Sequence, residues 1–115
     1  LKKRKVIGNR YNFLIDKIGI NRVNQVKNRT SIFSQYTILT NKRSKIREKF
    51  NQNKIPTSIY YPKTINSQIP YKKFCCASCT PNAIRASKQV LSLPMSPFLK
   101  NSDQKQIINL LKKFS

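Results

Sequence analysis

The chain has 115 residues, which leaves room for one domain with a modest hydrophobic core. Its net charge is +21, from 24 basic and 3 acidic residues. No apolar run approaches the ~20 residues that a membrane-spanning helix requires, and no apolar signal core follows the basic N-terminus. We therefore expect a cytoplasmic protein with no membrane partner.

The basic charge has two explanations. A strong positive excess attracts polyanions, so one is nucleic-acid binding by a small basic protein. The other is a general bias toward Lys, Asn and Ile. Basic residues are scattered through every segment, with modest clusters at 2–5, 42–49 and 112–113. This scatter favours the compositional bias and leaves nucleic-acid binding as the alternative function.

The N-terminal third predicts a helix, a loop and a strand. Apolar residues recur at three- and four-residue spacing through residues 2–18, which predicts a long helix. Gly19 is suited to end it, because glycine adopts the left-handed conformation readily. Residues 21–30 are polar and predict a loop. Residues 31–40 are rich in β-branched and aromatic side chains, which predicts a strand.

The middle of the chain predicts a second helix and strand. Asn41 is suited to cap a helix over 42–53, whose Ile46 and Phe50 lie four residues apart and should face the sheet. Pro56 ends that unit. Residues 57–61 then predict a strand, and a long connection over 62–79 follows, of the kind that usually has a function or is disordered.

The C-terminal part predicts helix, strand and helix. Thr80 should cap a helix over 82–89, and residues 90–93 form a short strand. Asn101 and Gln104 have the spacing of a capping box for a last helix. The order of elements predicts an α+β fold: a two-layer small domain with a small, mainly antiparallel sheet, helices packed on one face and a long N-terminal helix in front.

No self-contained catalytic set is visible in the sequence. The chain has no histidine, the commonest general base, and its three carboxylates are far apart at Asp16, Glu48 and Asp103. Two glycines cannot form a glycine-rich phosphate loop. Lysines are numerous, but a Schiff-base lysine needs a shaped, partly dry pocket, and no lysine is marked as such by the sequence.

Three cysteines cluster at Cys75, Cys76 and Cys79. The two-residue gap between the last two is that of a zinc knuckle, which makes a metal site the weaker alternative. A closed zinc site needs four ligands, so the others would have to come from another subunit. We therefore favour three reduced thiols over a metal site. An intramolecular disulfide is the other alternative, but an odd number of cysteines in a cytosolic chain argues against a disulfide framework.

Several segments together resemble one enzyme family in order and spacing. Gly8 to Asn12 and Ser34 to Ile38 resemble its connecting helix and first small-domain strand. Lys54-Ile55-Pro56-Thr57 and Tyr60-Tyr61-Pro62 resemble its Gly-Ile-Pro-Thr and Tyr-Pro stretches. Gln68 to Tyr71, Pro81 to Ala83, Val90 to Pro97 and Leu99 to Gln104 resemble the segments that follow. The family is that of the DegT/DnrJ/StrS aminotransferases, which use pyridoxal phosphate.

The resemblance implies that residues 1–115 form only the C-terminal small domain, with 1–19 as connecting helix and 31–115 as α+β body. Family members transfer an amino group to a nucleotide-linked keto sugar for polysaccharide or antibiotic sugars. Their Schiff-base lysine and most pyridoxal phosphate contacts lie in the large domain. We therefore expect a truncated or split aminotransferase that holds no cofactor and is inactive alone, with a separate large-domain chain as its possible partner.

The resemblance also suggests site residues and departures. Tyr60 and Tyr61 are the candidates for contact with the substrate's sugar or diphosphate, since a phenol can donate a hydrogen bond to a phosphate oxygen. The alternative is that one of them packs in the core. Lys54 stands where the family has glycine, at a helix end that favours positive φ. Ser96 replaces a histidine, and the cysteine cluster replaces a glycine-rich turn.

Overall fold

A computed structural model describes residues 1–74 and 76–114. Within these ranges the fold has four α-helices and one three-stranded sheet. The helices are α1 (Lys2–Ile18), α2 (Arg43–Gln52), α3 (Pro81–Gln89) and α4 (Asn101–Lys112). The strands are β1 (Asn21–Arg22), β2 (Tyr36–Leu39) and β3 (Val90–Leu93). The predicted α+β class and long N-terminal helix are confirmed.

The sheet has the order β1-β2-β3, and both pairs of strands are antiparallel. Tyr36 lies opposite Leu93 and Ile38 opposite Leu91, so these four side chains share one face. All four are buried. The opposite face carries a polar pair, in which the hydroxyls of Thr37 and Ser92 are 2.9 Å apart in a hydrogen bond.

The core forms where α1, α2 and α4 meet the apolar face of the sheet. Each helix contributes side chains at three- or four-residue spacing, which places them on one face. Ile46 and Phe50 of α2 are fully buried, as predicted. The other helical core residues are Ile7, Tyr11, Ile15, Ile107, Ile108, Leu110 and Leu111.

Two aromatic residues join α1 to the sheet. The rings of Tyr11 and Tyr36 stack with centroids 4.6 Å apart. Both hydroxyls find acceptors: Tyr11 donates to the Pro94 carbonyl at 2.8 Å, and Tyr36 donates to Asn12 Oδ1 at 2.7 Å. Burial raises the pKa of both phenols, because the phenolate is poorly solvated in the core. These tyrosines therefore stabilise the fold as neutral groups.

The helices begin and end close to the predicted residues, but two of the predicted caps do not form. Gly19 ends α1 with φ 76°, as expected. Asn41 does not cap α2, because Lys42 occupies the N-cap position. Thr80 is the residue that precedes α3, but its side chain makes no capping bond to the helix.

The expected capping box of α4 is also absent, and its glutamine has another role. Lys100 is the N-cap residue. Gln104 is instead fully buried between α4 and α1. Its Nε2 donates to the Ile7 carbonyl at 2.9 Å, and Arg10 donates to its Oε1 at 3.2 Å. A pattern read as a local helix signal therefore forms a tertiary contact.

Three strands differ from prediction. The loop expected over 21–30 begins with strand β1, because its first two residues pair with β2. The expected strand over 31–40 begins only at Tyr36, because Phe33 has φ 49° and turns the chain away from an extended path. The expected strand over 57–61 reduces to a single antiparallel bridge between Ser58 and Ser92. Tyr61 has φ 59°, which ends extended pairing just after the bridge.

Candidate functional site

Tyr60 and Tyr61 both project from the fold rather than pack in its core. The bridge between Ser58 and Ser92 holds the chain to β3 immediately before them. The left-handed conformation of Tyr61 then turns the chain outward. The side chain of Tyr60 is 45% exposed and that of Tyr61 is 83% exposed. Neither tyrosine is therefore buried, and the alternative that one of them packs in the core is wrong.

The two tyrosines line a concavity of about 770 Å³ between the 60–74 segment and α3. Two more rings, those of Tyr71 and Phe74, line it from the same segment. The facing wall is made by small residues on one face of α3, Ala83 and Ala86. Such a surface can accept a flat or sugar-like group against its rings while the phenol hydroxyls donate hydrogen bonds.

The α3 wall is fixed to α2 by an arginine. Arg43 Nη1 donates to the Ser87 carbonyl at 2.6 Å and to the Val90 carbonyl at 3.3 Å. These carbonyls belong to the C-terminal end of α3, where a cation is favourable for the helix dipole. Ser87 and Val90 also line the concavity, so the hydrogen bonds from Arg43 fix this part of its lining relative to α2.

The opposite wall is held by Asn66. Its Nδ2 donates to the Cys76 carbonyl and to Thr80 Oγ1, both at 3.0 Å. These bonds connect the 60–74 segment to the residues that lead into α3. Sequence reasoning did not single out Asn66, Tyr71 or Phe74. The density of aromatic residues in a long connection was the signal available for the two rings.

A smaller concavity of about 200 Å³ lies on the other side of Tyr60. It lies beside the end of β3, where Ser92 and Met95 line it, and it is lined across the gap by Gln35 and Thr57. Thr57 Oγ1 is buried and has no hydrogen-bond partner among the described residues. Tyr60 therefore stands between an apolar concavity and a more polar one.

The cysteine cluster forms a disulfide rather than a set of thiols. Cys76 and Cys79 are bonded to each other through their sulfur atoms. This corrects the expectation of reduced cysteines; the short loop between them brings their Cα atoms within 5.5 Å, a separation that suits the bond. The metal alternative loses both sulfurs as thiolate ligands. Cys75 lies outside the described residues, and within them no group of three metal-ligating side chains converges.

The residues of this chain do not fit pyridoxal phosphate by themselves. The cofactor requires a lysine amine inside a shaped, partly dry pocket and several donors around its phosphate. The lysine of the large concavity, Lys63, is exposed at its edge. The other residues that line the concavity are uncharged, so Lys63 is the only cation in this lining that could neutralise the cofactor's phosphate.

The one ion pair among the described residues lies away from both concavities. Arg22 Nε donates to Asp16 Oδ1 at 2.8 Å, joining the end of α1 to β1. The hydrogen bond from Arg22 lowers the pKa of the Asp16 carboxyl. Most of the basic charge is thus not neutralised by carboxylates within the chain. Within the described ranges, no helix has the length and apolar character to cross a membrane.

Comparison with known proteins gives consistent matches. A model of the DegT/DnrJ/EryC1/StrS aminotransferase family matches residues 1–112. A "Pleiotropic regulatory protein" of Geobacillus stearothermophilus is 33% identical over 95 residues, which are 78% of this chain and 24% of that protein. The UDP-2-acetamido-2-deoxy-3-oxo-D-glucuronate aminotransferase of Pseudomonas aeruginosa is 27% identical over 106 residues, which are 90% of this chain and 28% of that enzyme.

The fold agrees with the sequence matches. The crystal structure of a DegT DnrJ EryC1 StrS aminotransferase from Brucella abortus matches with a TM-score of 0.86 and 28% identity. The match covers 98% of this chain and 30% of that chain. The chain thus spans 24% to 30% of the length of these relatives. With the family model extending over nearly every residue, the chain belongs to the DegT/DnrJ/EryC1/StrS aminotransferase family.

Proposed function

We propose that residues 1–115 act as the C-terminal small-domain part of a pyridoxal-phosphate-dependent sugar aminotransferase. In this proposal α1 is the connecting helix, residues 31–115 are the α+β body, and the cofactor stays with a large domain. That large domain is supplied either on the same polypeptide or by a separate chain, in the cytoplasm. Residues 1–115 alone are not expected to transaminate.

The position of Tyr60 and Tyr61 is the observation that supports the proposal best. Both are exposed at the edge of a concavity, in a chain that matches about a third of a family enzyme. A small domain that covers a substrate cleft must present side chains outward from its sheet. Two adjacent phenols can do this by donating hydrogen bonds to a sugar hydroxyl or a phosphate oxygen.

The substrate class follows from the relatives. The Pseudomonas aeruginosa relative is named for its action on a UDP-linked keto sugar acid. We propose a nucleotide-linked keto sugar as the amino acceptor here, in the synthesis of polysaccharide or antibiotic sugars. The basic charge is compatible with such an acceptor, because a sugar nucleotide carries negative phosphates that a positive surface attracts.

Reconstitution tests the proposal. A family large domain that carries the Schiff-base lysine is assayed for amino transfer from glutamate to a nucleotide keto sugar, with and without residues 1–115. Adding residues 1–115 supplies the missing side of the substrate cleft, and this should raise turnover by about 10²- to 10³-fold. The large domain should come from the same polypeptide or the same gene neighbourhood, so that the two interfaces match. No association at micromolar concentration would reject the two-chain form.

Single hydroxyl deletions test the two tyrosines. Tyr60→Phe and Tyr61→Phe should raise KM for the nucleotide sugar by about tenfold or more, since a hydrogen bond to a charged group contributes roughly 1.5–3 kcal/mol. Tyr71→Phe is the matched control, because it removes a phenol hydroxyl from the same concavity without touching the proposed contact. Equal KM values in all three variants would remove the assignment.

A further inference from the structure

The disulfide lies between the 60–74 segment, which carries the aromatic side chains of the large concavity, and α3. Cys79 is separated from Pro81, the first residue of α3, only by Thr80. Cys76 accepts the Asn66 hydrogen bond that holds the far wall of the large concavity. Thr80, which lines that concavity, accepts the other bond from Asn66. The disulfide loop therefore lies between two of the groups that shape the concavity.

Both cysteines are exposed, so a reductant in solution can reach them. Exposed disulfides are the ones that exchange readily with thiols. In a reducing compartment such bonds are usually transient or redox-sensing rather than structural. The core, by contrast, lies mainly in α1, α2, α4 and the sheet, and none of the described residues of 60–80 is among the buried core residues. Breaking the bond should therefore loosen a local segment without unfolding the chain.

We propose that the Cys76–Cys79 disulfide is a redox-controlled clasp: it fixes the positions of the Cys76 carbonyl and Thr80 Oγ1, to which Asn66 of the 60–74 segment donates its hydrogen bonds. The inference does not depend on the proposed enzymatic function. When a dithiol such as dithiothreitol reduces the clasp, the bond between the two Sγ atoms breaks and each sulfur becomes a thiol. The reductant supplies two electrons and two protons and closes its own disulfide. The 60–74 segment then samples open conformations.

The expected size of the effect comes from loop closure. Cross-linking the four residues from Cys76 to Cys79 restricts the open chain, and the corresponding entropy gives a change of roughly 20-fold in the opening equilibrium. Cleavage by a protease follows the population of the open form when opening and closing are fast. Three exposed lysines, Lys63, Lys72 and Lys73, make this segment cleavable by trypsin.

Limited trypsin digestion of the full chain tests the clasp. The rate of cleavage after Lys72 and Lys73 should rise by roughly 20-fold in dithiothreitol. Cleavage after Lys45 in α2 and Lys105 in α4 should keep its rate, because these exposed lysines lie in helices packed on the core. Hydrogen exchange by mass spectrometry should show the same pattern, with faster exchange over 60–80 and no change in α1.

Variants separate the clasp from the rest of the cysteine cluster. Cys76→Ser with Cys79→Ser should be cleaved fast with or without reductant. Cys75→Ser should keep the full response. Reduction should release two thiols per chain from the oxidised wild type. Equal cleavage rates in both redox states, a response that survives in the double variant, or a reductant-sensitive covalent dimer would each overturn the proposal.

Discussion

The ring of Phe33 lies directly on the backbone of α1 at Gly8. A Cβ on residue 8 would be 2.7 Å from Phe33 Cδ1 and 2.5 Å from Cδ2, distances that real Cβ atoms essentially never show. Phe33 reaches this position because its φ of 49° turns the chain just before β2. Arg4 donates to the Phe33 carbonyl at 3.2 Å and Ser31 Oγ accepts from its amide at 3.0 Å, so both backbone groups are satisfied.

Gly8→Ala should therefore destabilise the chain, although alanine is the better helix former. The added methyl group has to displace a buried aromatic ring, and overpacking of this kind costs about 1–3 kcal/mol. Urea unfolding followed by circular dichroism measures the change. Asn9→Ala, at the next and exposed position of α1, is the control and should shift stability by no more than about 0.5 kcal/mol. A Gly8→Ala variant as stable as wild type would show that Phe33 does not occupy this site.

Lys54→Gly should stabilise the chain. Lys54 follows α2 with φ 57°, a conformation that costs an L-residue with a Cβ about 1 kcal/mol or more. Glycine adopts it without that penalty but loses more backbone entropy on folding, so we expect a net gain of about 0.5–1 kcal/mol. Thermal or urea unfolding at one salt concentration measures it. Lys54→Ala removes the same charge but keeps the Cβ, and a gain of equal size in that variant would assign the effect to charge instead.

The stacked tyrosines predict a loss of stability at alkaline pH. The pKa of Tyr11 and that of Tyr36 are both raised above the ordinary value near 10. Below pH 10 both the folded and the unfolded chain keep the phenol protons, so the contribution of the two tyrosines to stability is fully present. Above it the unfolded chain releases protons that the folded chain retains, so stability falls by up to about 1.4 kcal/mol per pH unit for each tyrosine.

Urea titrations between about pH 9 and 11 measure this slope. Tyr36→Phe removes one of the two buried phenols and should reduce the slope by about half. Every other titratable group is shared by the two chains, so the difference between their slopes reports on Tyr36. Identical slopes in the two chains would show that Tyr36 titrates alike in both states.

Helix positions could be predicted from the sequence because their signals are local. The spacing of apolar residues through 2–18 and the pair Ile46 and Phe50 depend only on the 3.6-residue period of a helix. Gly19 as a helix end is likewise a single-residue signal, whereas the positive φ of Lys54 was expected only because the resembled family has glycine at this position. The order of these elements predicted the fold class and the resemblance predicted the family, and both are confirmed.

Two of the wrong predictions concern contacts between distant segments. Gln104 has the spacing of a capping residue, but burial against α1 gives its amide better partners at the Ile7 carbonyl and Arg10. The strand expected over 57–61 has suitable residues, but pairing needs a neighbouring edge, and only Ser58 meets β3. Neither outcome can be inferred from local propensity, because each depends on where the partner lies.

By itself the amino-acid sequence determined the helices, the short strand β3, the family and the pair of tyrosines to examine. Only the tertiary structure decided that Phe33 rests on Gly8, that Cys76 and Cys79 join, and that Tyr60 and Tyr61 border a concavity against α3. The physical reason is the range of the interactions. Backbone conformation and periodicity act over a few residues, whereas packing, disulfide formation and cavity shape depend on which distant surfaces the folded chain brings together.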